Sequence, residues 1–181
     1  MEGRVKPGQD QNMIHVCSLA RLHDTVAETG AKHIVTLMKD VAMVRRPQSI
    51  VEANHLLLDM DDIVTVMDGY VPPNEQHVGK LIDFVTAWDR SAPIVVHCYA
   101  GISRSTAAAY IVAAALAPQR DEAEIATTLR RLSPSATPNL RLISIADRLL
   151  DRKGRMVNAI ESIGRGADSF EGVPFALKID R

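Results

Sequence analysis

The sequence predicts an α/β fold, a single domain in which helices flank a central, mostly parallel sheet. Short apolar segments alternate along the chain with segments whose apolar residues recur at helical spacing. One of the short segments, residues 92–97, is continuously apolar up to its terminal histidine, as strands buried in parallel sheets are. The 181 residues contain no internal repeat, linker or low-complexity tract, so the sequence indicates no second domain.

Four segments have the length and composition expected of strands. They are rich in apolar and β-branched residues and comprise residues 13–17, 31–38, 54–60 and 92–97. A fifth segment, residues 173–179, is interpreted either as a last strand or as an ordered extension. Helical patterns separate all of these segments except the second and third, and this alternation favours parallel pairing of the strands.

The helical patterns carry start and stop signals as well as periodicity. They comprise residues 18–30, 75–90, a helix that begins near Ser105, and residues 121–132, 139–151 and 155–164. Asp121 can cap the fourth of these helices, and Glu124 can complete a capping box with it. Gly30 and Gly164 stand where the first and the last of them are expected to end.

Composition limits the classes of partner and compartment. Charged residues make up 24% of the chain and the net charge is −1, which gives no overall attraction to nucleic acid or to a membrane surface. Two cysteines, Cys17 and Cys98, cannot form a disulfide framework and fit a reducing compartment. The most apolar segment, residues 106–117, is shorter than the roughly 20 residues of a membrane helix.

The first residues carry no apolar run, so we expect no secretory signal there. We expect residues 1–12 to form a disordered start and residues 13–181 to form the folded domain. These observations together predict a cytoplasmic protein. A monomer is the simplest expectation, although nothing in the sequence fixes the oligomeric state.

The segment "VVHCYAGISRSTAAAYIVAAA" places a short loop between a buried strand and an apolar helix. Backbone N–H groups at a helix start have no intrahelical partner, and the helix dipole favours an anion there. Gly101 suits a loop that takes an unusual backbone angle or lets a ligand approach closely. The arrangement predicts a phosphate-binding loop at the carboxyl end of the sheet.

The residue types in this loop indicate a nucleophile beneath a cradle for a tetrahedral anion. Helix N-termini and cations lower the pKa of cysteine thiols to about 3.5–7.5, so Cys98 is expected to be largely thiolate at neutral pH. Arg104 offers a planar fork of donors that matches two phosphoryl oxygens. Ser105 can cap the helix, and it can also donate to the Cys98 sulfur and stabilise it as a leaving group.

The stretch "HCYAGISRS" resembles the signature His-Cys-x5-Arg-Ser/Thr of the cysteine-dependent protein phosphatases, and "AGISRS" is most similar to the dual-specificity subgroup. The resemblance extends from about residue 13 to residue 150. It implies hydrolysis of phosphate monoesters through a phosphocysteine intermediate, with no metal and no cofactor. It implies that His97 orients the loop and tunes the thiolate, and that the substrate phosphate is bound by Tyr99, Ala100, Gly101, Ile102, Ser103 and Arg104.

This chemistry also needs a general acid for the departing oxygen. The candidates on the segment that precedes the cysteine strand are Asp59, Asp61, Asp62 and Asp68. By similarity to dual-specificity phosphatases, whose acid lies just past the last apolar residue of the strand, we expect Asp62 to be the acid. Asp61 is the alternative, and either residue could instead be a turn former.

Two further residues have a structural and a functional interpretation. Asn139 stands at the expected start of a helix, where capping explains it, although the family carries a similar Pro-Asn feature near its active site. Cys17 is expected in the core, with a protective disulfide to an oxidised Cys98 as the alternative.

Three functions stay open at this point. The first is a phosphatase acting on protein phosphotyrosine, either alone or together with phosphoserine or phosphothreonine. The second is a phosphatase for a phosphoinositide or an RNA end, which the lack of Lys or Arg among Tyr99, Ala100, Ile102 and Ser103 disfavours. The third is a non-catalytic phosphate-binding module. We expect a phosphorylated protein or a small phosphomonoester as partner, phosphate or sulfate in the loop, and neither nucleic acid nor membrane.

Overall fold

A computed structural model of the protein describes residues 11–180. Its centre is a five-stranded sheet with the order β3-β2-β4-β1-β5. The strands are β1 Met13–Ser18, β2 His33–Met38, β3 His55–Asp59, β4 Ile94–Cys98 and β5 Phe175–Lys178. The first four are parallel to one another, and β5 pairs antiparallel with β1. The predicted α/β fold with a mostly parallel sheet is confirmed, and the last segment forms a strand.

Six α-helices accompany the sheet. They are α1 Leu22–Thr29, α2 Glu75–Ala87, α3 Arg104–Leu116, α4 Glu122–Leu132, α5 Leu140–Leu149 and α6 Arg155–Ser162. Short 3-10 turns occupy Leu19–Arg21, Val41–Met43 and Glu52–Asn54. None of the helices in the described part of the chain combines the length and apolar character that a membrane crossing requires.

The two faces of the sheet carry separate apolar clusters. Successive strand residues point to opposite faces, so Val95 packs in the small cluster with Leu22 and Val26 of α1, whereas Val96 packs in the large one. The large cluster contains residues of all five other helices. One helix therefore lies on one side of the sheet, and five helices lie on the other, where α2, α3 and α4 contact the strands and α6 packs on α4 and α5.

Helix α3 is the central element of the larger layer. Ten of its residues, Ser105–Ala114, are buried, and it packs against α2, α4 and α5. A helix that is apolar on all sides has to be enclosed in this way. Its alanines allow neighbouring helices to approach closely, so the packing fixes the position of its N-terminal end against the sheet.

Strand register brings the carboxyl ends of the strands to the same edge. Ser18 of β1 lies opposite Cys98 of β4, and Thr36 of β2 lies opposite His97. The N-terminal end of α3 faces this edge because α3 follows β4 after a five-residue connection. Ligands of open α/β sheets bind at such an edge.

The two ends of the described chain meet beside β1. The N–H of Ile179 donates to the carbonyl oxygen of Asn12 at 2.9 Å, and Asn12 Nδ2 donates to Asp180. The sequence predicts that Asn12 belongs to a disordered start, yet it takes part in these hydrogen bonds. Residues 1–10 of that predicted start lie outside the described residues.

Candidate active site

The Cys98 thiol lies in the loop that joins β4 to α3. The backbone N–H of Gly101 donates a hydrogen bond to its Sγ atom at 3.2 Å, and the thiol donates to Oγ of Ser105 at 3.1 Å. Cys98 is 2% exposed. Its sulfur therefore has little contact with solvent and lies beside the amide end of a 13-residue helix, where a negative charge is favoured.

Gly101 is required by the shape of this loop. Its φ is +74°, in the left-handed region that glycine adopts most readily. A Cβ atom at this position would lie 2.9 Å from both the carbonyl carbon of Cys17 and the nitrogen of Ser18. The loop is thus pressed against the end of β1, and only glycine fits there without movement of backbone.

Arg104 begins α3 and reaches across to the end of β3. Its Nη1 donates to the carbonyl oxygen of Met60 at 2.9 Å, which ties the guanidinium to the segment that carries the candidate acids. Its Nε is buried and has no hydrogen-bond partner within residues 11–180. A buried donor without a partner is costly, so this atom is available to a bound anion.

Asp61 and Asp62 have different surroundings although they are adjacent. Asp61 exchanges hydrogen bonds with Val71: its N–H donates to the Val71 carbonyl at 2.8 Å, and its Oδ2 accepts from the Val71 N–H at 2.7 Å. Asp62 Oδ1 accepts from Ser103 Oγ at 2.7 Å and from Asn139 Nδ2 at 2.8 Å. Asp61 therefore closes the base of the loop, whereas Asp62 contacts the cysteine loop itself.

Asn139 has both of the roles considered for it from sequence. Its Oδ1 accepts from the N–H of Leu142 at 3.1 Å and caps α5. Its Nδ2 donates to Asp62 and, at 3.2 Å, to the carbonyl oxygen of Ile63. One amide side chain thus starts a helix and holds the carboxylate of Asp62.

His97 is buried and belongs to a chain of side-chain hydrogen bonds. Burial lowers the pKa of His97 to about 4, so its ring is neutral at pH 7. Nδ1 lies 3.2 Å from the carbonyl oxygen of Cys98, which can only accept, so these partners assign the proton to Nδ1. Nε2 then accepts from Oγ1 of Thr36 at 2.6 Å, and this oxygen accepts from Nε2 of His55 at 2.7 Å.

Cys17 is a buried residue of the sheet. Desolvation raises the pKa of its thiol to about 11, so the thiol stays protonated at neutral pH. Both cysteines are free thiols in the structure. The expectation that Cys17 belongs to the core agrees with its burial, and a disulfide with Cys98 stays a prediction.

The predicted site residues come together as follows. Cys98 is hydrogen-bonded to Gly101 and Ser105, and Ser103 of the same loop donates to the carboxylate of Asp62. The side chain of Tyr99 lies at the surface and is 67% exposed. Within residues 11–180, no group of three or more His, Cys, Asp and Glu side chains is arranged to hold a metal ion.

Sequence reasoning missed two parts of this region. The first is the hydrogen-bond chain in which Thr36 contacts both His97 and His55, residues of three different strands. The second part is the segment of residues 166–172, which lies against the cysteine loop: the N–H of Gly172 donates to the carbonyl oxygen of Ala100 at 2.8 Å. The polar residue in the middle of an apolar strand was a usable signal for Thr36, whereas the segment offered none.

Solved structures with a similar fold are phosphatases or phosphatase-like proteins. Cydia pomonella PTP-2 phosphatase has a TM-score of 0.59 and 17% identity, over 79% of this chain and 87% of that one. The human tyrosine phosphatase-like serine/threonine/tyrosine-interacting protein has a TM-score of 0.60 and 15% identity, over 77% and 92%. Human DUSP28 has a TM-score of 0.58 and 17% identity, over 77% and 89%. At these identities the likeness shows the fold alone.

This fold, together with the Cys98 loop, defines a member of the cysteine-dependent phosphatase superfamily of the dual-specificity type. Residues 12–117 match the protein-family model described as "Tc-R-P: Polymorphic toxin system, DSP-PTPase phosphatase". The chain belongs to this family. The resemblance inferred from the loop is therefore confirmed, and the matched residues end within one residue of the end of α3.

A curated relative carries a different name. The thiosulfate sulfurtransferase GlpE of Pseudomonas fluorescens (strain SBW25) is 37% identical over 67 residues, which make up 36% of this chain and 61% of the relative. The match therefore spans less than two thirds of that relative's length.

Proposed function

We propose that this protein hydrolyses phosphate monoesters, and phosphotyrosine in proteins in particular, through a phosphocysteine intermediate. The observation that carries the proposal is the setting of the Cys98 sulfur. It receives the Gly101 N–H, contacts Ser105 Oγ and lies at the amide end of α3, six residues before an arginine with a free buried donor. The N-terminal end of a helix favours a bound anion, so a phosphoryl group is bound where the Cys98 sulfur can attack it.

In the first step the Cys98 thiolate attacks phosphorus. The S–P bond forms while the bond from phosphorus to the ester oxygen breaks, and Asp62, in its acid form, gives its proton to the departing oxygen. Arg104 Nε and the loop N–H groups bind the non-bridging oxygens, on which negative charge is held in the transition state. No metal is needed for this charge because the guanidinium and the helix end supply the positive field.

In the second step water attacks the phosphocysteine. The new O–P bond forms as the S–P bond breaks, Asp62 as carboxylate accepts the proton of water, and inorganic phosphate leaves. Ser105 Oγ, 3.1 Å from the sulfur, donates to the departing thiolate. The product phosphate, or sulfate as its analogue, is expected to occupy the loop.

We assign the acid to Asp62 rather than to Asp61. Asp61 Oδ2 accepts from the backbone N–H of Val71, so protonating Asp61 would weaken the base of its loop. Asp62 is exposed and is held through a single oxygen by two neutral donors, Ser103 and Asn139. A carboxyl group with one oxygen anchored and the other free can donate and accept a proton without moving.

Hydrolysis of an aryl phosphate and of phosphopeptides by the wild type, Cys98→Ser, Asp62→Asn and Asp61→Asn tests the proposal. We expect activity in the wild type, none in Cys98→Ser, and for Asp62→Asn a loss on the order of 10²-fold or more in kcat on phosphotyrosine. Circular dichroism of each variant controls for folding. Asp61→Asn is the matched control for charge and should lose stability rather than chemistry.

Several results would contradict the proposal. Activity that survives in folded Cys98→Ser would show that Cys98 is not the nucleophile. A greater kcat loss in Asp61→Asn than in Asp62→Asn would assign the general acid to Asp61 instead of Asp62. A wild type that transfers sulfur from thiosulfate to cyanide but hydrolyses no phosphomonoester would favour the activity for which the curated relative is named. A wild type that binds phosphate but performs neither reaction would be a binding module.

A further inference from the structure

The segment of residues 166–172, here called the strap, crosses beside the cysteine loop and is tethered at both ends. At its start, Gly166 N–H donates to Thr137 Oγ1 at 3.1 Å and Ala167 N–H donates to the carbonyl oxygen of Pro134 at 2.9 Å. At its end, Glu171 Oε1 accepts from Ser18 Oγ at 2.6 Å and Gly172 N–H donates to the Ala100 carbonyl. The residues between these tethers are therefore held at a fixed place.

Phe170 is the large apolar residue of the strap, and nothing covers it. It is 103% exposed, the highest value among the large apolar side chains of the described chain. Both of its neighbours are polar and hydrogen-bonded: Ser169 Oγ donates to the carbonyl oxygen of Glu171 at 2.7 Å. The backbone on each side of the phenyl ring is thus fastened while the ring itself is left in solvent.

Phe170 lines a cavity that is also lined by Asp62, the proposed general acid, and by Ser103 of the cysteine loop. The cavity has a volume of about 700 Å³. Its walls are Asp62, Ile102 and Ser103 on the side of the cysteine loop, Thr137 at the base, and strap residues including Phe170 on the far side. Because Asp62 is the proposed proton donor to the leaving oxygen, the leaving group has to emerge where Asp62 stands.

The charges around this cavity suit a neutral group. Arg165 and Asp168 form an ion pair with 2.7 Å between Nη2 and Oδ1, so the positive charge on the rim is already matched by a negative one. The two residues of the cysteine loop that line the cavity, Ile102 and Ser103, carry no charge. A second phosphate group would find no unpaired cation among these lining residues, whereas an aromatic ring would find an apolar face on Phe170 and on Ile102.

We infer that the strap forms the leaving-group subsite of the enzyme, with Phe170 as an aromatic platform for the phenyl ring of a phosphotyrosine residue. The inference rests on the proposed function and names its substrate class as aryl phosphates. Ring-to-ring contact and burial of the exposed phenyl ring stabilise the bound aryl ester. Alkyl esters such as phosphoserine lack a ring and do not gain from this contact.

The test compares Phe170→Ala with the wild type on matched phosphotyrosine and phosphoserine peptides. We expect kcat/KM on the phosphotyrosine peptide to fall about tenfold, mostly through KM, because aromatic contacts and area burial contribute on that scale. On the phosphoserine peptide it should change less than about twofold. Phe170→Trp keeps an aromatic ring and should retain the wild-type preference for the phosphotyrosine peptide. Met43→Ala removes another exposed apolar side chain, lies outside the cavity lining, and should leave both values unchanged.

Equal loss on both peptides would overturn the inference, since Phe170 would then act through the structure of the strap. No loss on either peptide would overturn it as well. A binding measurement tests the role of Phe170 independently of whether the protein hydrolyses phosphate esters. In the Cys98→Ser background, calorimetry compares phenyl phosphate with inorganic phosphate. The Phe170→Ala change should weaken only the phenyl ester, and this comparison decides the inference even if the wild type hydrolyses nothing.

Discussion

Gly172 donates its backbone N–H to the carbonyl oxygen of Ala100 at 2.8 Å. That carbonyl shares a planar peptide unit with the N–H of Gly101, which donates to the Cys98 sulfur at 3.2 Å. The strap therefore binds the carbonyl group of the Ala100–Gly101 peptide, and the N–H group of the same peptide contacts the Cys98 sulfur. Because the two groups of a trans peptide point in opposite directions, a change at Gly172 is transmitted to Cys98 through one rigid unit.

The first prediction concerns this contact. A Cβ atom at position 172 would lie 2.6 Å from the carbonyl oxygen of Gly101, so Gly172→Ala has to displace either the strap or the loop. We expect kcat/KM for an aryl phosphate and the rate of Cys98 alkylation by iodoacetamide both to fall on the order of tenfold or more. Mass spectrometry assigns the alkylated cysteine.

Gly79→Ala is the matched control for this prediction. Gly79 lies within α2, and a Cβ atom there would meet nothing within 4 Å. Alanine is favoured over glycine inside a helix by about 1 kcal/mol, so this variant should be as stable as the wild type or more stable, with unchanged alkylation. Unaltered alkylation in Gly172→Ala would show that the strap does not hold the peptide.

The second prediction separates the two roles of Asn139. Asn139→Ser keeps an oxygen that can cap α5 but is too short to reach Asp62, so stability should change little while kcat on phosphotyrosine falls. Asn139→Ala removes both contacts and should also lose about 1 kcal/mol of unfolding free energy. Urea unfolding and steady-state kinetics measure the two effects. Wild-type kcat in Asn139→Ser would mean that Asp62 needs no support from this amide.

The third prediction concerns the hydroxyl group between two histidines. Thr36→Val keeps the shape of the side chain but leaves Nε2 of the buried His97 without its donor. We expect a loss of about 1–3 kcal/mol in unfolding free energy, the usual cost of a buried polar atom without a partner. Thr86→Val, at an exposed position of α2, is the control and should be close to neutral. Equal stability of the two variants would contradict the hydrogen-bond chain.

The fourth prediction is a fall in stability on mild acidification. The pKa of His97 is about 4 in the folded protein against 6.5 as its usual value. Between these values the unfolded state binds more protons, so unfolding free energy decreases as pH falls. Burial also lowers the pKa of His55 to about 4, which acts in the same direction.

For His97 alone we expect about 2 kcal/mol less unfolding free energy at pH 5 than at pH 7.5. Urea unfolding at both pH values measures the difference, and the range stops at pH 5 because carboxyl groups titrate below it. A folded His97→Asn variant should show a shallower dependence. A free energy that does not change between pH 7.5 and pH 5 is incompatible with a neutral buried His97.

The sequence predicted the fold well because burial imposes regular patterns of apolar residues on strands and helices. The apolar run of β4 and the all-round apolar helix α3 occupy the centre of the sheet and of the larger layer, where both patterns belong. The cysteine loop was recognisable because its residues are contiguous. Asp62 could be preferred to Asp61 only by resemblance, since the difference in their surroundings depends on partners as distant as Val71 and Asn139, which no local pattern contains.

The strap escaped prediction for a related reason. Residues 166–172 have neither a helical nor a strand period, and their placement depends on four tethers to residues far away in the sequence. Phe170 alone would have been interpreted as an ordinary residue of a loop. Its importance follows from the fixed position of its backbone, which only the three-dimensional structure reveals.

The tether between Gly172 and Ala100 also has a consequence for biosynthesis. The ribosome makes the cysteine loop some seventy residues before it makes the strap, so a growing chain contains Cys98 and Arg104 before it contains the N–H group that binds the Ala100 carbonyl oxygen. Strand β5, which follows the strap, then adds to the edge of β1. The hydrogen bond that supports the Ala100 peptide can therefore form only after residue 172 has been made.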